Sequence, residues 1–281
     1  MEALYSLLDM LFPFQWMDHI FMKNAFLAVL LVTPLFGLLS TMVVSNRMAF
    51  FSDSLGHGSF TGLAIGVLLG GIQPLLALIV FSVLFSAFIT YIKNKSSAST
   101  DTVIGVFSST AIALGLMLMS YGGGFNKFSG YMIGDLLSIT ETEIAALAAT
   151  FMIVCIVWAL IFNQLLVISI NSSLASSRGI RTMWIELFFA SVLAVIVAIS
   201  IQWVGLLVIN SLLVLPAAAA RNISASVKQY HLFSVAIAVF SGLTGLILSY
   251  YCNMATGATI VAVSAALFFV TLWLKPHFLR G

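Results

Sequence analysis

Almost the whole chain is a succession of apolar runs, each about twenty residues long and ended by a few polar residues or by Gly and Pro; no other feature restricts the fold as much. A helix rises about 1.5 Å per residue, so runs of this length match a hydrocarbon core roughly 30 Å thick. Backbone groups inside hydrocarbon must be satisfied within their own segment. The expected fold class is therefore all-α, a polytopic transmembrane helix bundle of about eight or nine spans. Spans are predicted at 24–45, 55–72, 74–92, 102–120, 143–162, 185–202, 203–220, 232–250 and 257–274. Gly70-Gly71-Ile72-Gln73-Pro74 divides 55–92, and Gln202-Trp203 before Gly205 divides 185–220. With 62% hydrophobic and 7% charged residues in 281, no room is left for a soluble catalytic domain, and residues 1–281 read as one membrane domain.

Arg47, Lys93, Lys95, Arg178, Arg181, Arg221, Lys228, Lys275 and Arg280 fall on one side of this arrangement, which the positive-inside rule makes cytoplasmic together with the C-terminus. The opposite side holds Lys23 and Lys127 with Glu2, Asp9, Asp18, Asp135, Glu141 and Glu143. Segment 1–20, with Phe12, Phe14 and Trp16 among acids, is expected along the membrane interface, in contact with lipid. Eleven basic and nine acidic residues make no field able to organise nucleic acid. Cys155 and Cys252 are too few and too far apart for a zinc cluster and read as packing residues. No GxxxxGK[ST] loop is present, so any ATP hydrolysis belongs to another chain.

Ionisable groups inside apolar segments each cost roughly 2.5–3.5 kcal/mol at the bilayer centre, so function is sought there. The clearest pair is Asp53 and His57, in Ser52-Asp53-Ser54-Leu55-Gly56-His57-Gly58. Four residues apart on a helix, they lie one above the other and can touch one ion together. Carboxylate with imidazole suits zinc, manganese or ferrous iron, and two ligands leave a site open enough for an ion to depart. Spacing alone equally allows a structural Asp–His contact. Gly58, Gly62, Gly66 and Gly70 form a small-residue stripe turned about a quarter-circle away, suited to close helix packing. Ser241, Gly245 and Ser249 form another. Pro34 and Pro216 are expected to kink or end their helices. Asn210, a buried polar residue, faces either the passage or a neighbouring helix. Asp101 reads as a helix cap, and His231 and His277 as solvated residues at the cytoplasmic interface.

Two connections exceed simple turns. Residues 121–142 are half-apolar and read as short helices at an outer mouth or as an ordinary loop. In 163–184, Asn171-Ser172-Ser173-Leu174-Ala175-Ser176-Ser177-Arg178-Gly179 has a cap at its start and a glycine to end a short helix. A docking element and a solvated loop are equally consistent with that composition.

Ser52-Asp53-Ser54-Leu55-Gly56-His57-Gly58 followed by Gly62 resembles the SDALSHAALPG segment of the membrane permeases of bacterial zinc-, manganese- and iron-uptake ABC transporters. The resemblance continues in Asp101–Ser108, Gly134-Asp135-Leu136-Leu137, Val204–Val208, Leu213–Arg221, Leu248–Tyr251 and Gly257–Val261, in order over nearly the whole chain. It implies a permease similar to the vitamin B12-type (type II) importers, in the bacterial cytoplasmic membrane. Two permease copies, or one and a homologue, would form the pathway. Separate ATP-binding cassette ATPase subunits would dock inside, and an extracytoplasmic metal-binding protein would deliver zinc or manganese as substrate, with no permanent cofactor. The resemblance places Asp53 and His57 on the pathway, to which Asn210 and Asp135 are candidate additions. It assigns Ser172, Ala175, Arg178 and Gly179 to a helix coupling the permease to the ATPase. Two positions depart from the pattern: Thr61 stands where proline is usual, and Asn253 where aspartate is common. The competing readings are an ion-coupled secondary metal transporter, which would need more intramembrane acids, and an intramembrane serine protease, for which no Gly-x-Ser nucleophile context is visible.

Overall fold

The computed structural model describes residues 2–69, 73–121, 134 and 136–278, and among these every regular element is helical. In chain order they are α1 (Glu2–Leu11), a 3-10 turn (Gln15–Asp18), α2 (Ile20–Ser45), α3 (Ala49–Leu69), α4 (Pro74–Lys95), α5 (Thr100–Tyr121), a second 3-10 turn (Leu136–Ser138), α6 (Glu141–Ile170), α7 (Ser172–Ser177), α8 (Thr182–Val204), α9 (Leu206–Leu212), α10 (Leu215–Ile223), α11 (Val227–Cys252) and α12 (Thr256–Phe278). Seven of these are long and apolar enough to cross a membrane: α2, α4, α5, α6, α8, α11 and α12. Helix α3 has 21 residues but a polar first half, and it falls outside that set for this reason.

The expected span 203–220 is not one helix. Gly205, at φ +81°, separates α8 from α9, and the chain breaks again at Leu213-Val214 before α10 opens with Pro216 in its first turn. A proline has no N–H to donate and is favoured at a helix start, so Pro216 begins a helix here where the sequence suggested an end or a kink. Pro34 does not interrupt α2. Asp101 is not the cap of α5. Ser99 Oγ accepts from Thr102 N at 3.1 Å, and Asp101 sits in the first turn, where its charge favours the positive end of the helix dipole.

The chain divides into two compact units, Met1–Thr41, Ile133–Ile156 and Trp203–Gly281 in one, Met42–Met132 and Val157–Gln202 in the other. In the first, small residues admit backbones closely: Gly37 of α2 meets Val235 and Ala238 of α11, Gly242 meets Val29 and Thr33, and Gly245 meets Ile260 of α12. Ser234 Oγ donates to Gly37 O at 2.7 Å and lies 2.9 Å from Ser40 Oγ. Helix α1 is tied to the start of α2 by Lys23 Nζ to Asp9 at 2.7 Å and by the Tyr5 hydroxyl donating to Asn24 Oδ1 at 2.6 Å, while Leu4, Leu7, Met10 and Leu11 stay exposed. Thr140 and Glu143 form a capping box at the head of α6, and Glu143 Oε1 also accepts from Trp203 Nε1 at 2.8 Å.

In the second unit α3 is the central element, packed on α4 along one side and on α5 along another. A Cβ added to Gly58 would lie 2.7 Å from the Phe85 ring, one on Gly62 2.7 Å from Phe81 Cβ, and one on Gly66 2.6 Å from Ala77 Cβ. Three members of the stripe thus face α4; Gly70 lies outside the described residues. Toward α5, the Thr61 hydroxyl donates to Ala111 O, and Gly115 packs against Thr61. Ser59 and Ser82 link α3 to α4 at 2.9 Å.

Gly62→Leu is expected to destabilise the unit by about 1–3 kcal/mol, since the new side chain must push apart backbones already in contact. Gly105→Ala, inside α5 with nothing within 4 Å of the new methyl, is expected to be neutral or to stabilise by up to about 1 kcal/mol. Thermal unfolding of the two purified variants in detergent checks the contrast.

Candidate functional site

Helix α3 begins after a turn that the backbone makes tightly: Met48 N donates to Val43 O at 2.8 Å, and Arg47 adopts φ +57°. This places Asp53 in the second turn of α3 and His57 one turn further on. Their side chains meet, with Nε2 3.6 Å from Oδ1. That distance is too long for a hydrogen bond and within the range of an ion pair when the imidazole is protonated.

The reverse faces of α3 are closed. Ser52, Ser54, Leu55 and Ser59 are fully buried, and Ser52 and Ser59 return their hydroxyls to carbonyls of the preceding turn. Asp53 and His57 point the other way, 48% and 29% exposed at the side chain, on a face shared with the exposed Phe50. Such a face cannot be left to hydrocarbon without the penalty for an intramembrane carboxylate, so it suits contact with water or with protein. No cluster of three or more His, Cys, Asp or Glu able to hold a metal occurs among the described residues. Asp53 and His57 are a carboxylate and an imidazole side by side, two groups of the kinds that can ligate a divalent transition metal.

The remaining candidates are distributed differently. Asn210 is half-buried on α9 and belongs to the other unit, and Asp135 lies outside the described residues. Gly134, its neighbour, packs at φ +73° directly on the backbone of Gly205, so two segments far apart in sequence meet there. His231 Nδ1 is 2.8 Å from Val227 O, a contact within its own helix.

The short helix in 163–184 forms as α7. Asn171 Oδ1 accepts from Ser173 N and Leu174 N at 2.9 and 3.1 Å, and Gly179, at φ +78°, closes the C-terminal end. Ser172, Ser173, Leu174, Ser176, Ser177 and Arg178 are exposed. Ala175 is not part of that surface: it is fully buried beneath the helix.

One group was overlooked in the sequence. Glu186 is an acid inside the predicted span 185–202, which is the signal that should have singled it out. Its Oε2 is 3.1 Å from Lys93 Nζ and accepts from Asn94 Nδ2 at 3.2 Å.

Residues 18–275 match the ABC 3 transport family. The high-affinity zinc uptake system membrane protein ZnuB of Buchnera aphidicola is 31% identical over 247 residues, 87% of this chain and 94% of that protein. The manganese import system permease protein ScaB of Streptococcus gordonii is 28% identical over 259 residues, 92% and 93% of the two chains. Among solved structures, a chain of PsaBC from Streptococcus pneumoniae in complex with Fab superposes with a TM-score of 0.80 at 25% identity, covering 100% of this chain and 99% of that one. With its helices in this arrangement and the match running almost from end to end, the chain belongs to the ABC 3 transport family.

Proposed function

We propose that this chain is the permease subunit of an ATP-binding cassette importer that moves zinc or manganese into a bacterial cytoplasm. The observation that carries the reading is the adjacency of Asp53 and His57 on one open face of a helix otherwise enclosed by protein. Family membership and relatives named for zinc and manganese supply the transport context.

The chain itself performs no bond chemistry; ATP is hydrolysed on separate subunits docked at the cytoplasmic side. The two ligands of one chain bind an ion weakly enough for release, and a second permease copy would bring an equivalent pair. Alternating exposure of this layer outward and then inward, coupled to ATPase closure, moves the ion in one direction. An extracytoplasmic metal-binding protein supplies the ion from outside. The exposed apolar face of α1, tethered at the head of α2, lies in the membrane interface. The exposed serines, Leu174 and Arg178 of the α7 segment form the contact with the ATPase.

The test is metal uptake in proteoliposomes holding the permease, its ATPase and its metal-delivery protein. Asp53→Ala and His57→Ala should each lower ATP-driven uptake about ten-fold or more, since loss of even an outer-shell partner of a metal site commonly costs that much. The amount of bound ATPase should not change. Wild-type uptake rates in both variants would remove the pair from the passage. Gradient-driven uptake without the ATPase would replace this reading with a secondary transporter.

Gly179→Val should weaken ATPase binding, because a left-handed backbone costs an L residue roughly 1–2 kcal/mol and the end of α7 would shift. Gly179→Asn, which tolerates that conformation, should bind nearly as wild type. Co-purification of the ATPase at matched permease levels is the measurement.

A further inference from the structure

We propose that the Lys93–Glu186 ion pair is the joint that passes movement of the cytoplasmic α7–α8 segment to the metal-bearing helix α3. This rests on the permease reading above and adds residues that neither the sequence motifs nor the family match singles out.

On one side of the joint the chain is taut. Arg178 N donates to Leu174 O at 3.2 Å, Gly179 N to Ser176 O at 3.0 Å, Ile180 N to Ala175 O at 3.1 Å and Thr182 N to Ile180 O at 2.9 Å. Trp184 N and Ile185 N then donate to Arg181 O at 3.0 and 3.2 Å as α8 begins. Hydrogen bonds therefore run through the whole connection from the buried Ala175 to the first turn of α8. A push on α7 displaces the start of α8 with it, and Glu186 sits in that start.

On the other side, Glu186 Oε2 is held by two successive residues at the end of α4: Lys93 Nζ at 3.1 Å and Asn94 Nδ2 at 3.2 Å. Asn94 also donates to Thr90 O at 2.9 Å, which fixes it to its own helix. Both charged side chains are mostly buried, 19% exposed for Lys93 and 14% for Glu186. Eight residues back along α4, about 12 Å at the helical rise, the Phe85 ring lies against Gly58, next to His57. Phe81 and Ala77 continue that contact against Gly62 and Gly66. Backbones so close cannot slide independently, so a shift of α4 moves α3 at the level of the metal ligands. A buried ion pair adds little net stability, whereas its geometry holds two elements in one register.

The experiment uses the reconstituted complex of permease, ATPase and metal-delivery protein, and reads metal ions imported per ATP hydrolysed. Lys93→Glu and Glu186→Lys should each lower that ratio about five-fold while the ATPase stays bound and hydrolyses ATP. The double exchange, which restores the pair with its charges reversed, should recover at least about half of the loss, a non-additivity that independent stabilising residues do not give. Lys93→Met and Glu186→Gln serve where the reversals do not fold, and each should lower the same ratio. A wild-type ratio in the single variants overturns the proposal. So does a parallel fall of uptake and hydrolysis that the double exchange does not rescue, since that marks a merely structural clamp. Absence of ATP-driven uptake by the wild-type complex would instead remove the transporter reading, and this inference with it.

Discussion

Helix α3 carries a carboxylate and an imidazole in a chain otherwise suited to hydrocarbon, and this polarity must be shielded. The other faces of the helix are covered by α4 and α5 at van der Waals range, which glycine at 58, 62 and 66 permits on one side and Thr61 against Gly115 on the other. The hydroxyls of Ser52, Ser59 and Thr61 are turned back to carbonyls or across to Ser82 and Ala111, so these polar groups are satisfied inside the protein. Only the face of Asp53 and His57 is left open. The position of Asp53 and His57 thus marks where the helix cannot be allowed to meet lipid.

Much of this was legible because period and cost leave traces in sequence. Long apolar runs marked the spans, Asn171 and Gly179 marked the two ends of α7, and the quarter-circle offset of the glycines from Asp53 follows from helical geometry. The misreadings have a common physical origin. Apolar content over 203–220 says nothing about continuity, and the two breaks depend on Gly205 meeting Gly134 and on a proline that starts a turn. Ser99 outcompetes Asp101 as a cap through a two-residue difference in register. The inward turn of Ala175 is decided by tertiary packing.

Glu186 shows a different limit. Its partner Lys93 lies 93 positions away, and before the helices are assembled each appears as an ordinary charge near the end of an apolar run. A cytoplasmic lysine counts toward topology, which conceals a second use. Long-range pairing of this kind emerges only when α4 and α8 are placed side by side.

The open face of α3 also bears on the thermodynamics of the isolated subunit. With nearly half of the Asp53 side chain uncovered, the carboxylate carries a desolvation penalty against hydrocarbon that water or a covering protein surface relieves. Any such surface binds the folded form alone and stabilises it by mass action. Its melting temperature is then not a constant of the polypeptide but rises with the concentration of any protein that covers that face.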